Sequence, residues 1–231
     1  MTRLRTSRIV SLAVLALAAG LPAAAAAPAA AATPAYAVTD LGAFSLGVSD
    51  GYGINANGEV TGGSYLSKTY SIICPPNYPN PKKCVKHPEN AFLYSNGQMT
   101  DLGTLGGGNN SQGNAVNLSG QVAGWSDTSS GNDAVLWSGK KTVDLGALAP
   151  LAGSNSIADG INDSGQVAGA YGNSTVHAFL YSNGTVAGLP EPSFTGSLGC
   201  EADTINDNGQ IVANATDTAT GQTHALLLTA S

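Results

Sequence analysis

The chain has 231 residues, of which 42% are hydrophobic and only 10% are charged, and it contains 30 glycines. This composition excludes a coiled coil or a helical bundle, because the helices of both need abundant charged and helix-favouring residues. The formal net charge of −6 argues against nucleic acid as a partner, since proteins that bind it present basic surfaces. The abundant glycine, asparagine, serine and threonine instead predict strands and turns.

The first 32 residues have the features of a secretory signal peptide. Three arginines among the first eight residues precede an apolar run from Ile9 to Leu21, and an alanine-rich stretch follows. The apolar run is too short to span a bilayer comfortably. We expect residues 1–32 to be cleaved, with Ala27, Ala32 and Ala37 as candidate cleavage sites. Residues 33–231 are then expected to form a single secreted domain without a membrane span.

A turn motif of the form Asn-x-x-Gly occurs four times in the rest of the chain, with its asparagines 62, 45 and 44 residues apart. The asparagine side chain can accept hydrogen bonds from the turn backbone, and the glycine can take the left-handed conformation of a G1 bulge. The motif therefore predicts four structural turns between antiparallel strands. They contain Asn55 and Gly58, Asn117 and Gly120, Asn162 and Gly165, and Asn206 and Gly209. The acidic pattern of an EF-hand calcium loop is missing from them, so we predict no metal.

Two further motifs follow each turn in a fixed order. An apolar strand is found at 91–94, 134–137, 178–181 and 225–228, and an Asp-Leu-Gly triplet is found at 40–42, 101–103 and 144–146, with a degraded copy at 188–190. Ser-Asn-Gly at 95–97 and at 182–184 is a strong hairpin signal between the two motifs. Each repeat of about 44 residues is therefore expected to contain four strands.

Four antiparallel strands in a repeat of this length are typical of a propeller blade. We predict an all-β fold, a four-bladed β-propeller. Residues 36–42 match the fourth strand of a repeat, whereas the last repeat stops after its third strand at 224–228. Pairing the two would close the ring with the N-terminal strand and remove both exposed edges. The alternative is an open β-solenoid or a sandwich of four repeats.

Three segments resemble a known family. His177–Tyr181, Asp101–Gly107 and Ile161–Gly169 are similar to the HAF family of bacterial extracellular repeats, which is named for its His-Ala-Phe triplet. The resemblance extends from Tyr36 to Thr229. It implies a secreted repeat protein and supplies no catalytic positions.

The first repeat is about 17 residues longer than the second, and the excess forms an insertion at 65–86. Cys74 and Cys84 lie within it, and two cysteines so close in a secreted loop predict a disulfide. Cys200 is either a buried free thiol or a partner of one of these two. The cysteine and histidine spacing matches no zinc pattern, so we predict no metal site.

The insertion is also the predicted ligand-binding segment, because it is the main departure from the repeat pattern. Its tyrosines and lysines are the candidate contact residues: Tyr65, Tyr70, Tyr78, Lys82, Lys83 and Lys86. Its lysines would give a positive surface to a chain that is otherwise acidic, which suits an anionic cell-wall polymer or an acidic polysaccharide. Alternatively, the insertion covers the protein's own acidic surface and has no partner.

The chain lacks the motifs of common catalytic and phosphate-binding sites. We therefore expect a monomeric, secreted, non-catalytic module without a cofactor, which serves as a scaffold or binds polysaccharide or cell-wall material at the cell surface or in the medium. The alternative is a secreted hydrolase or lyase that acts on polysaccharide, although no pair of carboxylates with the arrangement of a glycosidase is evident.

Overall fold

The computed structural model describes residues 36–66, 70–71, 85–106, 108–194 and 199–230. Residues Asp40–Ser231 belong to one compact unit. Residues 36–39, the described end of the other unit, contain no strand. The predicted signal peptide lies outside the described residues, as does most of the insertion, including its predicted disulfide and contact residues Cys74, Tyr78, Lys82, Lys83 and Cys84. Their predicted cleavage, disulfide and ligand contacts remain predictions.

The strands follow the repeats. The first repeat forms β1 (Ser49–Ile54), β2 (Val60–Tyr65), the short β3 (Tyr70–Ser71) and β4 (Val85–Lys86), β5 (Glu89–Ser95) and β6 (Gln98–Gly103). The second forms β7 (Ser111–Val116), β8 (Val122–Asp127), β9 (Asn132–Ser138) and β10 (Lys141–Asp144). The third forms β11 (Ser156–Ile161), β12 (Val167–Tyr171), β13 (His177–Ser182) and β14 (Thr185–Gly188). The fourth forms β15 (Cys200–Ile205), β16 (Ile211–Asp217) and β17 (Gln222–Leu228).

Each repeat folds into one antiparallel sheet, here called blades 1 to 4. The strand orders are β1-β2-β5-β6, β7-β8-β9-β10, β11-β12-β13-β14 and β15-β16-β17. The first strands of successive blades contact each other, and the four Asn-x-x-Gly turns line one shared cavity. These features are those of a β-propeller, and the predicted all-β, four-bladed fold is confirmed. Within the described residues no helix is present that could cross a membrane.

Apolar side chains, many of them alanine and valine, fill the spaces between the blades. One cluster includes Ala91, Val122 and Trp137 of blades 1 and 2, and another includes Ala168, Ala202 and Ala213 of blades 3 and 4. The first strands approach most closely: a Cβ placed at Gly160 would lie 2.7 Å from the Cα of Thr204. Glycine is required at such a contact because any side chain would overlap the neighbouring backbone.

The predicted closing strand is not formed in the structure. Residues 36–48 contain no strand, and β17 is the outer strand of a three-stranded sheet. The other three outer strands follow their partners directly through short turns, which hold the two strands close together. Residues 36–42 have no such turn to β17, because nearly the whole chain separates them in sequence.

The turn glycines have left-handed backbone. Gly58, Gly120, Gly165 and Gly209 have φ angles of 77°, 70°, 74° and 73°. In each turn the glycine N–H donates to the carbonyl of the asparagine, at 2.9–3.0 Å. A residue with a Cβ is strained at these φ values.

We expect Gly58→Ala to lower the free energy of unfolding by about 1 kcal/mol. Nothing lies within 4 Å of the position that a Cβ would occupy at Gly58, so backbone strain alone should cause the loss. Gly106→Ala is the matched control, since Gly106 also has open space and lacks a positive φ. Urea denaturation measures both variants, and equal midpoints would contradict the prediction.

Candidate functional site

The two ends of the propeller differ in their connections. Because each blade is an antiparallel meander, its Asn-x-x-Gly turn and the turn between its third and fourth strands lie at the same end, called the turn end. The connections between second and third strands, and those between blades, lie at the opposite end, called the loop end. The insertion of blade 1 joins β2 to β5 and therefore belongs to the loop end.

The turn end contains a cavity of about 340 Å³ at the centre of the four blades. Residues from all four turns line it, including Asn55, Asn117, Asn162 and Asn206. A polar cavity on the axis of a propeller is a natural candidate for a ligand site. Whether it can bind a ligand depends on whether these amides have unused hydrogen-bonding capacity.

The amides of Asn55 and Asn117 have no such capacity, because each makes two donor and two acceptor hydrogen bonds within the protein. The Asn117 Oδ1 accepts from the N–H groups of Ser119 (3.1 Å) and Gln121 (3.0 Å). Its Nδ2 donates to the Gln121 Oε1 at 2.8 Å and to the backbone carbonyl of Asn162 at 3.0 Å. An amide side chain has two donor hydrogens and one oxygen with two acceptor sites, so all of them are used. We conclude that this residue is structural.

The same bond to the neighbouring carbonyl links the turns into a ladder. Asn55 donates to the carbonyl of Asn117 at 2.8 Å, and Asn162 donates to the carbonyl of Asn206 at 3.0 Å. Within the described part of the chain, Asn206 makes only the bonds inside its own turn, including one to Gln210 at 2.9 Å. The ladder thus runs from blade 1 to blade 4 and ends there.

The residue that precedes the apolar segment of the third strand contacts a carboxyl group in blades 1 and 3. The Asn90 amide donates to Asp101 at 2.9 and 3.1 Å, and the His177 Nδ1 lies 2.6 Å from the Glu191 Oε1. In blade 2 the equivalent residues, Asp133 and Asp144, are both acidic. Burial and then the charge of Asp144 raise the pKa of Asp133. These contacts join the ends of neighbouring strands, which explains His177 without a catalytic role.

Each first strand contains a β-bulge at the same place, and the bulges carry polar or aromatic side chains. The register shifts between Gly51 and Gly53 in blade 1, and at the equivalent positions of the other blades. The residues inserted there are Tyr52, Asn114, Asp159 and Asp203. Bulges redirect side chains and are frequent beside functional sites. Blade 1 alone has an aromatic residue at this position.

Tyr52 belongs to a group of four interacting residues at the foot of the insertion, which we call the acidic tyrosine cluster: Asp50, Tyr52, Tyr65 and Glu89. Tyr65 and Glu89 are paired across β2 and β5, and Asp50 is paired with Gly63. A Cβ at Gly63 would overlap the Glu89 carboxyl group, so the carboxyl lies directly over this glycine. Tyr52 is 53% exposed, and Tyr65 and Glu89 are half-buried.

The electrostatics of this cluster favour its protonated forms. Burial and then the charge of Asp50 raise the pKa of Glu89. The Glu89 carboxylate, followed by burial and Asp50, raises the pKa of Tyr65. Burial is the main cause that raises the pKa of Tyr52, with contributions from Asp50, Glu89 and Tyr65. Both tyrosines therefore keep their hydroxyl hydrogens at neutral pH and can donate hydrogen bonds.

Sequence reasoning identified only Tyr65 of this cluster. Asp50, Tyr52 and Glu89 were missed, although the substitution of an aromatic residue at the bulge of one repeat is visible in the sequence. Of the other predicted contact residues, Tyr70 and Lys86 pair in the β3–β4 ladder that begins the insertion. Cys200 is 1% exposed and is a buried free thiol in the described structure, which is one of the two alternatives given for it above.

A second unusual carboxyl group lies at the bulge of blade 3. The Asp159 Oδ1 accepts from the Asn114 amide at 3.3 Å, whereas its Oδ2 is buried and has no hydrogen-bond partner among the described residues. Burial, and then the charges of Glu201 and Asp203, raise the pKa of Asp159 to about 7, against a smaller opposing effect of Asn114. Among the described residues no group of three potential ligands is arranged to hold a metal ion.

We expect Asn162→Ala to reduce the free energy of unfolding by on the order of 2–3 kcal/mol, because it leaves buried polar partners unsatisfied. Asn206→Ala is the control: this asparagine makes the same kind of bonds within its turn but is exposed and lacks the bond to another blade. Asn206→Ala should therefore lower the free energy of unfolding by at least about 1 kcal/mol less than Asn162→Ala does. Equal losses in urea denaturation would show that the ladder contributes nothing.

Asp159 should make stability depend on pH. Because its pKa is raised from 3.8 in the unfolded chain to about 7 in the folded protein, the folded state binds its proton more tightly. Its contribution is complete below about pH 4 and is lost as the pH rises through about 7. Asp159→Asn should therefore be more stable than the parent at pH 8 and similar to it at pH 4. The control, Asp207→Asn, removes an exposed carboxylate; a parallel pH profile for Asp159→Asn and the parent would contradict this assignment.

Comparisons with known proteins add a fold-level likeness. No family model matches the chain, and no curated protein matches it. Among solved structures, it is similar to the β-propeller domain of the Trilobed protease from Pyrococcus furiosus, described as having an open velcro topology, with 10% identity and a TM-score of 0.48. The match covers 79% of this chain and 52% of that one, so the chain spans about half of the length of that structure.

Proposed function

We propose that the protein is a secreted, non-catalytic module that binds polysaccharide or cell-wall material at the loop end of blade 1. The observation that carries this proposal is the acidic tyrosine cluster at the foot of the insertion. Its members come from β1, β2 and β5, so rigid strands hold them, while the insertion extends from the same place. The turn end is a weaker candidate, because the amides of Asn55 and Asn117 are saturated by the protein itself.

The chemistry of the cluster suits sugar rings. An aromatic side chain offers an apolar face for stacking and, in tyrosine, a hydroxyl group at its edge. Tyr52 is exposed enough to stack, and the raised pKa of Tyr52 and Tyr65 keeps both hydroxyls as donors. The carboxyl oxygens of Asp50 and Glu89 can accept hydrogen bonds from sugar hydroxyls. Stacking and directional hydrogen bonds together describe a site for a hydroxyl-rich polymer.

The same electrostatics favour binding over catalysis. A tyrosine that acts as a general base must lose its proton, and its pKa should then lie near the working pH. The pKa values of Tyr52 and Tyr65 are shifted in the opposite direction. The secreted location follows from the basic, apolar and alanine-rich order of residues 1–32. Amino-terminal sequencing of protein from the culture medium tests it, with a start after Ala27, Ala32 or Ala37 expected.

We expect Tyr52→Ala to weaken binding to polysaccharide roughly tenfold, which corresponds to ~1.4 kcal/mol. Glu89→Gln keeps the size of the side chain but removes its charge, and should weaken binding less. Leu118→Ala, which truncates an exposed apolar side chain at the turn end, should leave binding unchanged. Pull-down and calorimetry with a panel of neutral and anionic polysaccharides provide the measurement.

The contribution of the insertion is tested by replacement. The β8–β9 connection of blade 2 needs only residues 128–131, between the paired Asp127 and Asn132. The equivalent pair in blade 1 is Tyr65 and Glu89, so residues 66–88 can be replaced by that four-residue loop. The variant should fold but bind anionic polymers more weakly, with less salt dependence than the parent. Unchanged binding in this variant and in Tyr52→Ala would place the site elsewhere, and release of reducing ends by the parent would identify a hydrolase or lyase instead.

A further inference from the structure

The first strand of blade 1 exposes a face that the other blades bury. Ile54 is 72% exposed, whereas its equivalents Val116, Ile161 and Ile205 are 6–9% exposed. These three equivalents are each covered by the preceding blade. Within the described residues no blade covers this face of blade 1, and it is left open.

The last blade exposes the complementary face. Val212 of β16 is 41% exposed, whereas the equivalent Ala123 and Ala168 are fully buried by the next blade. Leu227, which is paired with Val212, is 65% exposed, although the equivalent Leu136 is only 4% exposed. The row of four blades therefore has one exposed apolar face at each end. The residues of these two faces are equivalent to those that pack between every other pair of neighbouring blades.

The segment before β1 is folded as if a blade preceded it. The Gly42 N–H donates to the Asp40 Oδ1 at 2.9 Å, and the Ser49 hydroxyl donates to the Gly42 carbonyl at 2.7 Å. The connection from blade 1 to blade 2 has the same two bonds, from Gly103 to Asp101 at 2.8 Å and from Ser111 to Gly103 at 2.7 Å. Residues 40–49 thus have the conformation of a connection that leaves the fourth strand of a blade.

We propose that the ring closes in solution, with blade 4 packed against blade 1 and residues 40–42 alongside β17 as the missing fourth strand. This inference is independent of the proposed function. The turns of all four blades line one cavity, so the two ends of the array curve toward each other. Because the two apolar faces belong to one chain, each meets the other at a higher effective concentration than it meets the face of a separate molecule.

Closure also supplies partners for polar groups at the interface between blade 4 and blade 1, here called the seam. Asp40 is equivalent to Asp101, and His224 is equivalent to Asn90, which donates to that aspartate. Placing residues 40–42 beside β17 therefore sets His224 next to an acidic side chain; in the structure its ring packs on Phe194, with centroids 4.8 Å apart. The Asn206 amide, whose counterparts bind the next turn, gains the carbonyl of Asn55.

A pair of cysteines tests the closure. A Cβ at Gly113 would lie 3.3 Å from the Cβ of Thr61 across the interface of blades 1 and 2. The equivalent pair at the seam is Gly51 and Val212. In the structure, Val60 of the same blade is the one described neighbour within 4 Å of a Cβ at Gly51. A disulfide needs Cβ atoms about 4 Å apart, so Gly51→Cys with Val212→Cys can cross-link only if the ring closes.

The experiment uses the full mature chain in a Cys200→Ser background, with peptide mapping before reduction. The pair Gly113→Cys with Thr61→Cys is the positive control, and Gly51→Cys with Val176→Cys is the negative control. We expect a link between residues 51 and 212 within a monomer. A link between chains would show that copies associate end to end, and no link while the positive control forms one would show an open ring; either result overturns the proposal.

A second measurement uses the unmodified protein and does not depend on the variants folding. In a closed ring, the amides of β17 that point away from β16 are bonded to residues 40–42. Their hydrogen exchange should be at least tenfold slower than that of the exposed turn amides at 218–221. Exchange at the rate of these turn amides would overturn closure by this segment.

Discussion

The side chain of the turn asparagine is the interaction on which the architecture depends. It accepts backbone hydrogen bonds within its own turn, and in blades 1 to 3 it also donates to the backbone of the next turn. A local feature of four residues thus fixes both the hairpin and the position of the adjacent blade. Asparagine is suited to this role because its amide combines an acceptor oxygen with two donor hydrogens on a short side chain. A serine or aspartate could cap the turn but could not also donate twice.

Close approach at the axis accounts for much of the composition. The first strands meet where Gly160 touches the backbone of Thr204, and alanines fill the space between the blades farther out. Long charged side chains have no place in such an interior, because burial of an unpaired charge is costly. Asp159 is the exception, and its environment raises its pKa to about 7. The chain is consequently rich in glycine and alanine and poor in charge.

The fold could be predicted from the sequence because its signals are local and repeated four times. The turn glycines, the hairpin signals and the repeat length each depend on a few neighbouring residues, and together they indicated the number of blades. The acidic tyrosine cluster could not be predicted in the same way. Asp50, Tyr65 and Glu89 are distant in sequence, and they meet only because the strand register and a bulge bring them together. The placement of residues 36–42 was also beyond local signals, since no turn connects them to β17.

The repeats also indicate where a ligand can bind. At the turn end, the amides of Asn55, Asn117 and Asn162 donate to the next turn, so a ligand that took these donors would have to replace bonds that hold the blades together. At the loop end, the connections differ in length and sequence without disturbing the ladder. Blade 1 differs most, because it combines the insertion with an aromatic residue at its bulge. Under the proposed function, stability and recognition are therefore separated in space: the turn end holds the blades in place, and the loop end carries a site that blade 1 alone provides among the described residues.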